Sequence, residues 1–192
     1  MAFVLDACKD EDFGPMQDVM FGAMNGGSTF VNAVYPNNMT PEGREKHRQT
    51  FLYIKSVDPT QRWLKVTDTS TGKIIAVANW NVYDGAKPAE TELDGPPGTW
   101  ATEEDKEWAQ ALFRSYMEDR RRVIREATGP VMCESPCLSK ATYESVTVLT
   151  SVFQGLNIMT VAKPYQRRGA GALLTKWGAD LADEIGAEVS YF

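Results

Sequence analysis

A short basic segment holds the residues with the clearest chemistry in this chain. It reads Gln-Arg-Arg-Gly-Ala-Gly over 166–171 and follows Pro164 and Tyr165. The two glycines let the backbone approach a ligand without a Cβ in the way, and Arg167 and Arg168 add positive charge. N–H groups in the first turn of a helix bind anions. The segment therefore predicts a site for a phosphorylated ligand.

Two regular elements would hold this segment in place. Leu156–Val161 is a short apolar run of β-forming residues, and Pro164 prevents its continuation as a paired strand. A helical pattern starts directly after the first glycine and runs from Ala170 to Ile185. The sequence thus predicts a strand, a basic glycine turn and a helix whose positive dipole end faces the ligand.

This arrangement resembles the Gln/Arg-x-x-Gly-x-Gly/Ala signature of the GNAT family of N-acetyltransferases, of a fungal type, which bind acetyl-CoA through its pyrophosphate. Leu173-Leu174 and Lys176-Trp177-Gly178 on the helix agree with the resemblance, which covers about 156–189. It implies an α/β fold with a mixed, mostly antiparallel sheet flanked by helices. It also implies acetyl-CoA (coenzyme A) as cosubstrate, an amine as acceptor, and no metal.

The resemblance further implies where the cosubstrate binds. The amides of 168–172 would hold the pyrophosphate, and the strand 156–161 would pair with the pantetheine arm as if with another strand. A backbone N–H near Met159 or Thr160 would stabilise the developing oxyanion. The expected cofactor-binding residues are Met159, Thr160, Val161, Gln166, Arg167, Arg168, Gly169, Ala170, Gly171 and Ala172.

The sequence does not identify the catalytic acid or base. In the mechanism that the resemblance implies, a neutral amine attacks the thioester directly, so a base must deprotonate the ammonium and an acid must meet the leaving thiolate. Glu90, Glu92 and Glu144 are the first carboxylates to test as the base, and bound water is the alternative. No spacing singles out one of them, so the catalytic residues remain unknown.

Three functions compete at this stage. The first is transfer of an acetyl group from acetyl-CoA to a primary amine of a small molecule or a protein. The alternative is a truncated, catalytically impaired protein that binds coenzyme A. The third is another nucleotide-binding α/β protein, but the glycine turn lacks the third glycine of a dinucleotide site, and the chain has no Gly-Lys-Ser/Thr.

Composition favours one intracellular domain over 1–192. Its hydrophobic content of 43% and charged content of 24% are typical of globular proteins. No apolar run approaches the ~20 residues that span a bilayer, and the start of the chain is acidic where a signal peptide would be basic. We expect a cytoplasmic location, with a nuclear share left open, and no membrane partner. The oligomeric state is also open.

The charge balance bears on the ligands. Twenty basic and 26 acidic residues give a net charge of −6, which argues against nucleic-acid partners. A polyanionic cosubstrate therefore needs a local basic patch, and a cationic amine would suit the acidic remainder. The residues that could form the patch are Lys163, Arg167, Arg168 and Lys176.

The cysteines and the single histidine do not indicate a metal site. Cys8, Cys133 and Cys137 are odd in number, which suggests free thiols. A structural zinc needs four ligands, and His47 lies in a different element from the Cys133/Cys137 pair. We expect His47 to be a solvated helix residue.

The rest of the chain predicts further strands and helices. The patterns are a strand over Ala2–Ala7, a helix from Asp10 or Asp12 as cap to Met24, a helix from Thr40-Pro41 to about Lys55, a hairpin of Trp63–Asp68 and Ile74–Tyr83, a loop over Asp84–Ala101, and a helix over Glu103–Ala127. Trp80 and Tyr83 should pack in the sheet. The last helix starts with a Thr102-x-x-Asp105 capping box. Its apolar stripe should include Trp108, Leu112, Tyr116 and Ile124, and its arginines 120, 121, 122 and 125 should be solvated.

Two stretches depart from the family pattern. Residues 131–155 form a possible insertion, for instance a translated intron, and 145–153 within it has the composition of a strand that could pair directly with Leu156–Val161. The chain ends at Phe192 after a predicted strand over Ala187–Phe192. The family continues with another helix and two strands, so we expect a domain that is incomplete at its C-terminus.

Overall fold

A six-stranded sheet carries the fold in the computed structural model, which describes residues 2–24, 26–84, 90–126, 131–134, 152–185 and 188–191. The strand order is β1-β2-β3-β5-β4-β6. Neighbours from β1 to β5 are antiparallel, and β4 is parallel to both β5 and β6. The strands are β1 (Phe3–Ala7), β2 (Gln61–Asp68), β3 (Lys73–Asp84), β4 (Val131–Glu134), β5 (Val152–Val161) and β6 (Glu188–Tyr191).

The described residues include five α-helices that flank the sheet: α1 (Phe13–Met24), α2 (Thr29–Val34), α3 (Pro41–Val57), α4 (Glu103–Glu126) and α5 (Ala170–Ile185). The predicted mixed, mostly antiparallel α/β fold is therefore confirmed. So are the start of α3, where Thr40 Oγ1 accepts a hydrogen bond from the Gly43 amide at 3.1 Å, and the capping box of α4, where Thr102 and Asp105 bond reciprocally.

The packing places β3 between two apolar layers. On one face, Leu174 and Ala182 of α5 lie against Trp80 and its neighbours in the sheet. On the other face, residues of α1 and α3 surround Trp63 and Val77. Since β3 alternates between the two layers, it is buried on both faces, and Trp80 is a packing residue as predicted. The side chain of Tyr83 lies outside the described part.

The start of α1 differs from the prediction. Asp10–Asp12 forms a turn of 3-10 helix, and neither aspartate caps α1. The Asp12 carboxylate instead accepts hydrogen bonds of 2.7 Å from the Lys9 amide and from Lys65 Nζ on β2. Burial opposes the charge on Asp12, but the Lys65 and Lys9 contacts prevail and lower its pKa. This carboxylate therefore ties the first helix to the sheet.

The apolar stripe predicted for α4 is wrong at Trp108, which is 56% exposed. Leu112 is half-buried, and the Tyr116 ring packs on Phe30 with 4.6 Å between ring centres. The fully buried residue of the described part of α4 is Ala109, which the prediction left out because hydrophobic size does not reveal a buried alanine. The side chain of Ile124 lies outside the described residues.

His47 is not the solvated residue that was expected. It is 7% exposed, and its Nε2 donates a hydrogen bond of 2.8 Å to the carbonyl of Pro36. Its ring also contacts the rings of Phe21 and Tyr35. Burial lowers the pKa of His47, so the imidazole is neutral in the folded protein.

The possible insertion is described only at its two ends. Val131–Glu134 is β4, and Val152 and Phe153 are the first residues of β5. The sequence suggested that 145–153 could pair with Leu156–Val161. This is wrong for Val152 and Phe153, because they lie in β5, the same strand as Leu156–Val161. Residues 135–151, including Cys137 and Glu144, lie outside the described part, so the insertion itself stays a prediction. The strand predicted at 187–192 is present as β6.

The first prediction concerns the ion pair between Asp12 and Lys65, whose side chains are 11% and 16% exposed. Asp12→Asn should lower the free energy of unfolding by about 3 kcal/mol, because it leaves the ammonium of Lys65 buried without a carboxylate. Urea unfolding with an unchanged m-value measures this loss. The matched control is Asp10→Asn, since Asp10 pairs with Lys55 but is 77% exposed, and it should cost below about 1 kcal/mol. Equal losses in the two variants would contradict the prediction.

The second prediction concerns the pH dependence of stability. His47 is the single histidine of the chain, and its folded pKa lies below the ordinary value of 6.5. As the pH falls through 6.5 the unfolded chain takes up a proton that the folded chain resists, so stability present above that pH is lost below it. His47→Gln keeps a donor for Pro36 and should flatten the stability profile between about pH 7.5 and 5.5. Parallel profiles for the two proteins would show that His47 is not the cause.

Candidate functional site

The glycine turn connects β5 to α5 through two residues of left-handed backbone. Arg167 has φ of 59° and Gly169 has φ of 93°, a value that favours glycine. The Leu173 amide donates to the Gly169 carbonyl at 3.1 Å, so α5 starts directly after this glycine. The N–H groups of Ala170, Gly171 and Ala172 then have no partner within the helix, and they form an anion-binding end.

Positive charge surrounds this turn on the surface. Arg167 and Arg168 are exposed, and the guanidinium of Arg168 lies 5.8 Å from the centre of the Tyr165 ring. The side-chain amide of Gln166 is already engaged, since it donates to the Val161 carbonyl at 3.0 Å. Lys176, expected in the basic patch, pairs with Asp180 one turn along α5. Arg167 and Arg168 are thus the cations that closely precede the free amides in the chain, and Lys163 at the start of the turn is exposed as well.

Among the described residues, one edge of β5 has no strand partner over the positions expected to bind the cosubstrate. Its pairing with β4 involves only Gln154 and Gly155. On the other side, the Ala162 amide bonds to Ile75, so by alternation the Thr160 N–H also points toward β3. The N–H groups of Met159 and Val161 point away from β3, toward the unpaired edge. Of the two amides expected near the oxyanion, that of Met159 has this direction.

A β-bulge interrupts the pairing of β5 with β3. Asn79 lies opposite Ile158, whereas Trp80 lies opposite Leu156, so Asn157 is an extra residue. Its side-chain amide donates to Asn79 Oδ1 at 2.7 Å and to Asn81 Oδ1. Its Oδ1 accepts a hydrogen bond from the guanidinium of Arg120 on α4. The bulge thus gathers a buried network of amides at the middle of β5.

This network continues into the sheet. Asn79 donates to Gln61 Oε1, which also accepts from the indole N–H of Trp63 at 2.7 Å. Asn81 donates to the hydroxyl of Thr60 at 2.6 Å. Asn81 also donates to the Asp58 carboxylate at 3.3 Å, so the network joins the Arg120 guanidinium at one end to Asp58 at the other and fixes the side chains between them.

Beside the bulge lies a cavity of 670 Å³ between the face of β5 and the helices α1, α2 and α4. Its floor is Ile158, Met159 and Thr160, and Asn157 with Arg120 forms its polar end. Most of its remaining wall is apolar, with rings from several elements: Phe21, Phe30, Tyr35, Phe51, Trp63, Phe113 and Tyr116. Burial raises the pKa of Tyr35 to about 12, so its phenol stays protonated at neutral pH.

The described residues of the loop before α4, 90–101, do not line this cavity. Glu90 binds Arg125 at 2.6 Å, and Glu92 binds Arg114 at 3.1 Å, both on the outer side of α4. Arg121 also approaches both glutamates and is only 14% exposed, so it is not the solvated residue that was expected. Among the described residues that line the cavity, Asp119 is the one that carries a carboxylate. Neither Glu90 nor Glu92 is therefore positioned toward the cavity as a base.

The structure brings the predicted binding residues together in one region. Met159, Thr160 and Val161 lie on β5, and Gln166, Arg167, Arg168, Gly169, Ala170, Gly171 and Ala172 form the turn and the start of α5. Sequence reasoning missed Asn157, Arg120 and α2. The residues around Asn157 in sequence give no sign of a bulge. Arg120 is one of three consecutive arginines and was wrongly expected to be solvated.

The described residues give little support for a metal site, a membrane-spanning helix or a reactive thiol. It contains no group of three or more His, Cys, Asp or Glu side chains that could hold a metal. None of its helices combines the length and apolar character needed to cross a membrane. Cys8 is a buried free thiol whose pKa is raised to about 12, first by burial and then by Asp12, so it stays protonated.

Comparison with known proteins gives the fold. No protein-family model and no curated protein sequence matches the chain. A solved structure of a mosquito arylalkylamine N-acetyltransferase like 5b superimposes with a TM-score of 0.51 at 12% identity, over 97% of this chain and 73% of that one. The chain has a GNAT-like acetyltransferase fold.

Two further structures align less closely. One is a histone acetyltransferase and related acetyltransferase from Corynebacterium glutamicum, with a TM-score of 0.46 at 17% identity over 95% of this chain and 72% of that one. The other is a GNAT family acetyltransferase from Brucella melitensis in complex with acetyl-CoA, with a TM-score of 0.45 at 12% identity over 97% and 71%. The fold assignment rests on the mosquito protein.

The third prediction tests the bulge network. Asn157→Leu should lower the free energy of unfolding by about 2–3 kcal/mol, because it leaves the side-chain oxygens of Asn79 and Asn81 and the guanidinium of Arg120 without their partner. Chemical denaturation measures the loss. Gln49→Leu, at an exposed amide on α3, is the control and should change stability by less than about 0.5 kcal/mol. If Asn157→Leu is as stable as the wild type, the network does not hold β5 in place.

Proposed function

We propose that this protein is an N-acetyltransferase that transfers an acetyl group from acetyl-CoA to a primary amine of a small molecule or a protein. The observation that carries the proposal is the unpaired edge of β5, which runs from the glycine turn to the floor of the 670 Å³ cavity. One strand thus lies beside both an anion-binding helix end and a cavity that could hold an acceptor. The fold shared with an arylalkylamine N-acetyltransferase like protein supports this reaction class.

In this proposal, the pyrophosphate of acetyl-CoA binds the N–H groups at the start of α5, between Arg168 and Ala172, and the side chains of Arg167 and Arg168 contribute charge. The pantetheine arm hydrogen-bonds the free edge of β5 through the backbone of Met159 and Val161, as an added strand would. These contacts use backbone groups that have no strand partner in the described residues. The same groups would otherwise be exposed to water.

The proposed chemistry is direct transfer. The lone pair of the neutral amine attacks the thioester carbonyl carbon, so a C–N bond forms while the C–S bond breaks and the thiolate leaves with the electron pair. The N–H of Met159 points toward the edge where the carbonyl oxygen would lie, and it stabilises the oxyanion. The overall reaction of an ammonium with acetyl-CoA gives the acetamide, free coenzyme A and one proton.

The proton leaves through water in this proposal. Glu90 and Glu92 are held by arginines of α4 outside the cavity, whereas Asp119 lies at the cavity and is itself 67% exposed beside Arg122. Solvent at this side therefore accepts the ammonium proton, and no side chain is assigned as acid or base.

We also propose that 1–192 forms one acetyltransferase domain in which 131–155 is an addition to the family pattern.

The fourth prediction tests cosubstrate binding and turnover. Arg167→Ala/Arg168→Ala should weaken coenzyme A binding at least about tenfold, because each guanidinium contributes charge-assisted hydrogen bonds to the phosphates. Isothermal titration calorimetry measures the affinity, and Arg48→Ala on α3, where Arg48 binds Glu45, is the matched control.

The companion measurement is release of free thiol from acetyl-CoA with a panel of primary amines. Amine-dependent release by the wild type supports the enzyme. Coenzyme A binding without amine-dependent release would favour a coenzyme A-binding protein that lacks turnover, and unchanged affinity of the double variant would remove the proposed pyrophosphate site.

A further inference from the structure

One cation of α4 differs from its neighbours. The arginines at 114, 121, 122 and 125 each lie within 4.0 Å of a carboxylate. Arg120 has no carboxylate within that distance among the described residues. Its guanidinium makes a hydrogen bond to the neutral Asn157, and its Nε is buried without a hydrogen-bond partner in the same set. A half-buried guanidinium with a vacant donor is unfavourable unless an anion completes it.

The groups around Arg120 leave one direction for such an anion. Its Nη1 donates to Asn157, whose own amide nitrogen donates to Asn79 and Asn81. Asp119, the neighbouring residue, turns its carboxylate to Arg122 at 2.8 Å. Nε is buried, whereas Nη2 makes no hydrogen bond to the described residues, so Nη2 is the donor of Arg120 available to a carboxylate in the cavity. Arg120 also lines the 670 Å³ cavity.

The rest of the cavity wall indicates which chemical group the bound anion carries. Beyond the polar end, the wall consists mainly of aromatic rings and methionines, which favour an apolar group of moderate size. The residue that follows Asn157 is Ile158, the start of the floor where the acetyl group is proposed to lie. Arg120, Asn157 and this floor line one cavity, so an acceptor that spans them carries its amine close to a carboxylate bound to Arg120. An α-amino group and its own carboxylate have this spacing.

We propose that the acceptor is an α-amino acid with a hydrophobic side chain, held through its carboxylate by Arg120 and acetylated on its α-amine. This inference rests on the proposed N-acetyltransferase function and names its substrate class. The side chain occupies the aromatic part of the cavity. The α-amine, once deprotonated, attacks the thioester carbon, so that the N-acetylamino acid, coenzyme A and one proton are formed from the zwitterion and acetyl-CoA.

The position of Arg120 also argues against a simple arylalkylamine as the acceptor. Such an amine is a cation at neutral pH, and it would enter a cavity whose polar end already carries an unpaired guanidinium. The two like charges repel, and Asn157 cannot neutralise either of them. A carboxylate on the same molecule removes this repulsion. The local guanidinium therefore outweighs the negative net charge of the chain in selecting the acceptor.

The test compares phenylalanine with two molecules that keep its ring and amine but lack the negative charge, 2-phenylethylamine and phenylalanine methyl ester. With acetyl-CoA and wild-type protein, kcat/KM from thiol release should favour phenylalanine by at least about 30-fold. Arg120→Met should remove this preference, lowering the rate for phenylalanine while leaving that for 2-phenylethylamine unchanged or higher. Arg120→Lys, which keeps the charge without the planar guanidinium that bonds Asn157 and the carboxylate together, should be intermediate.

Binding measured by calorimetry makes the test independent of turnover. Phenylalanine should bind the wild type in the presence of coenzyme A more tightly than the methyl ester, and Arg120→Met should abolish the difference. Arg125→Met, on the outer side of α4 beside Glu90, is the matched control and should keep the preference. If Arg120→Met does not fold, the wild-type comparison and Arg120→Lys decide.

Failure of the two proposals can be told apart. Equal use of phenylalanine and 2-phenylethylamine by the wild type, or an equal loss for both in Arg120→Met, overturns the amino-acid assignment and leaves the acetyltransferase intact. Absence of coenzyme A binding and of thiol release with every amine instead overturns the proposed function. In that case, phenylalanine binding that depends on Arg120 still supports the carboxylate site, and its absence overturns it.

Discussion

The antiparallel pairing of β3 with β5, interrupted once at Asn157, is the constraint on which the proposed site depends. β3 is buried between two helical layers, so its position is fixed by packing on both faces. The hydrogen bonds between β3 and β5 fix the position of β5 in turn. The extra residue then breaks the alternation of β5 and turns Asn157 toward Asn79 and Asn81, where three amides satisfy one another.

The charged side chains of α4 are also fixed by their partners. The chain has a net charge of −6, and most cations of the long helix α4 are matched by carboxylates of the loop in front of it or of α4 itself. Arg120 at the cavity departs from this balance, because no carboxylate of the described residues lies within 4.0 Å of it. Exposed matched pairs contribute little free energy, whereas a cation without its carboxylate attracts an anionic ligand. This departure lies at the proposed acceptor site, and the exposed arginines at 167 and 168 add positive charge at the proposed cosubstrate site.

The sequence predicted the elements whose signals are local. Pro164, the glycines at 169 and 171, and the periodic segment after them specify a strand end, a turn and a helix within some twenty residues, and α5 spans the range expected. Thr40 and Pro41 likewise determine the start of α3. In each case the determining contacts join residues that are close in sequence.

The features that the sequence did not predict depend on distant contacts. α2 has six residues, too few for a helical period to be visible. The burial of His47 depends on the Pro36 carbonyl and on two rings brought from other elements. Which of three consecutive arginines faces the sheet depends on the rotation of α4, and the stripe predicted for α4 left out its buried Ala109. The bulge, finally, exists only relative to the register of β3.

The alternation of a single strand accounts for the separation of two ligands in the proposed reaction. Ile158 and Thr160 lie on the floor of the cavity, and the backbone N–H groups of Met159 and Val161 point to the edge beside the glycine turn. The acceptor and the cosubstrate therefore approach β5 from different directions and meet at Met159. Because the oxyanion contact there is a main-chain amide, its placement depends on the register of β5 and not on the identity of a side chain. A shift of one residue in that register would exchange the two roles, and the buried amide network at Asn157 opposes that shift.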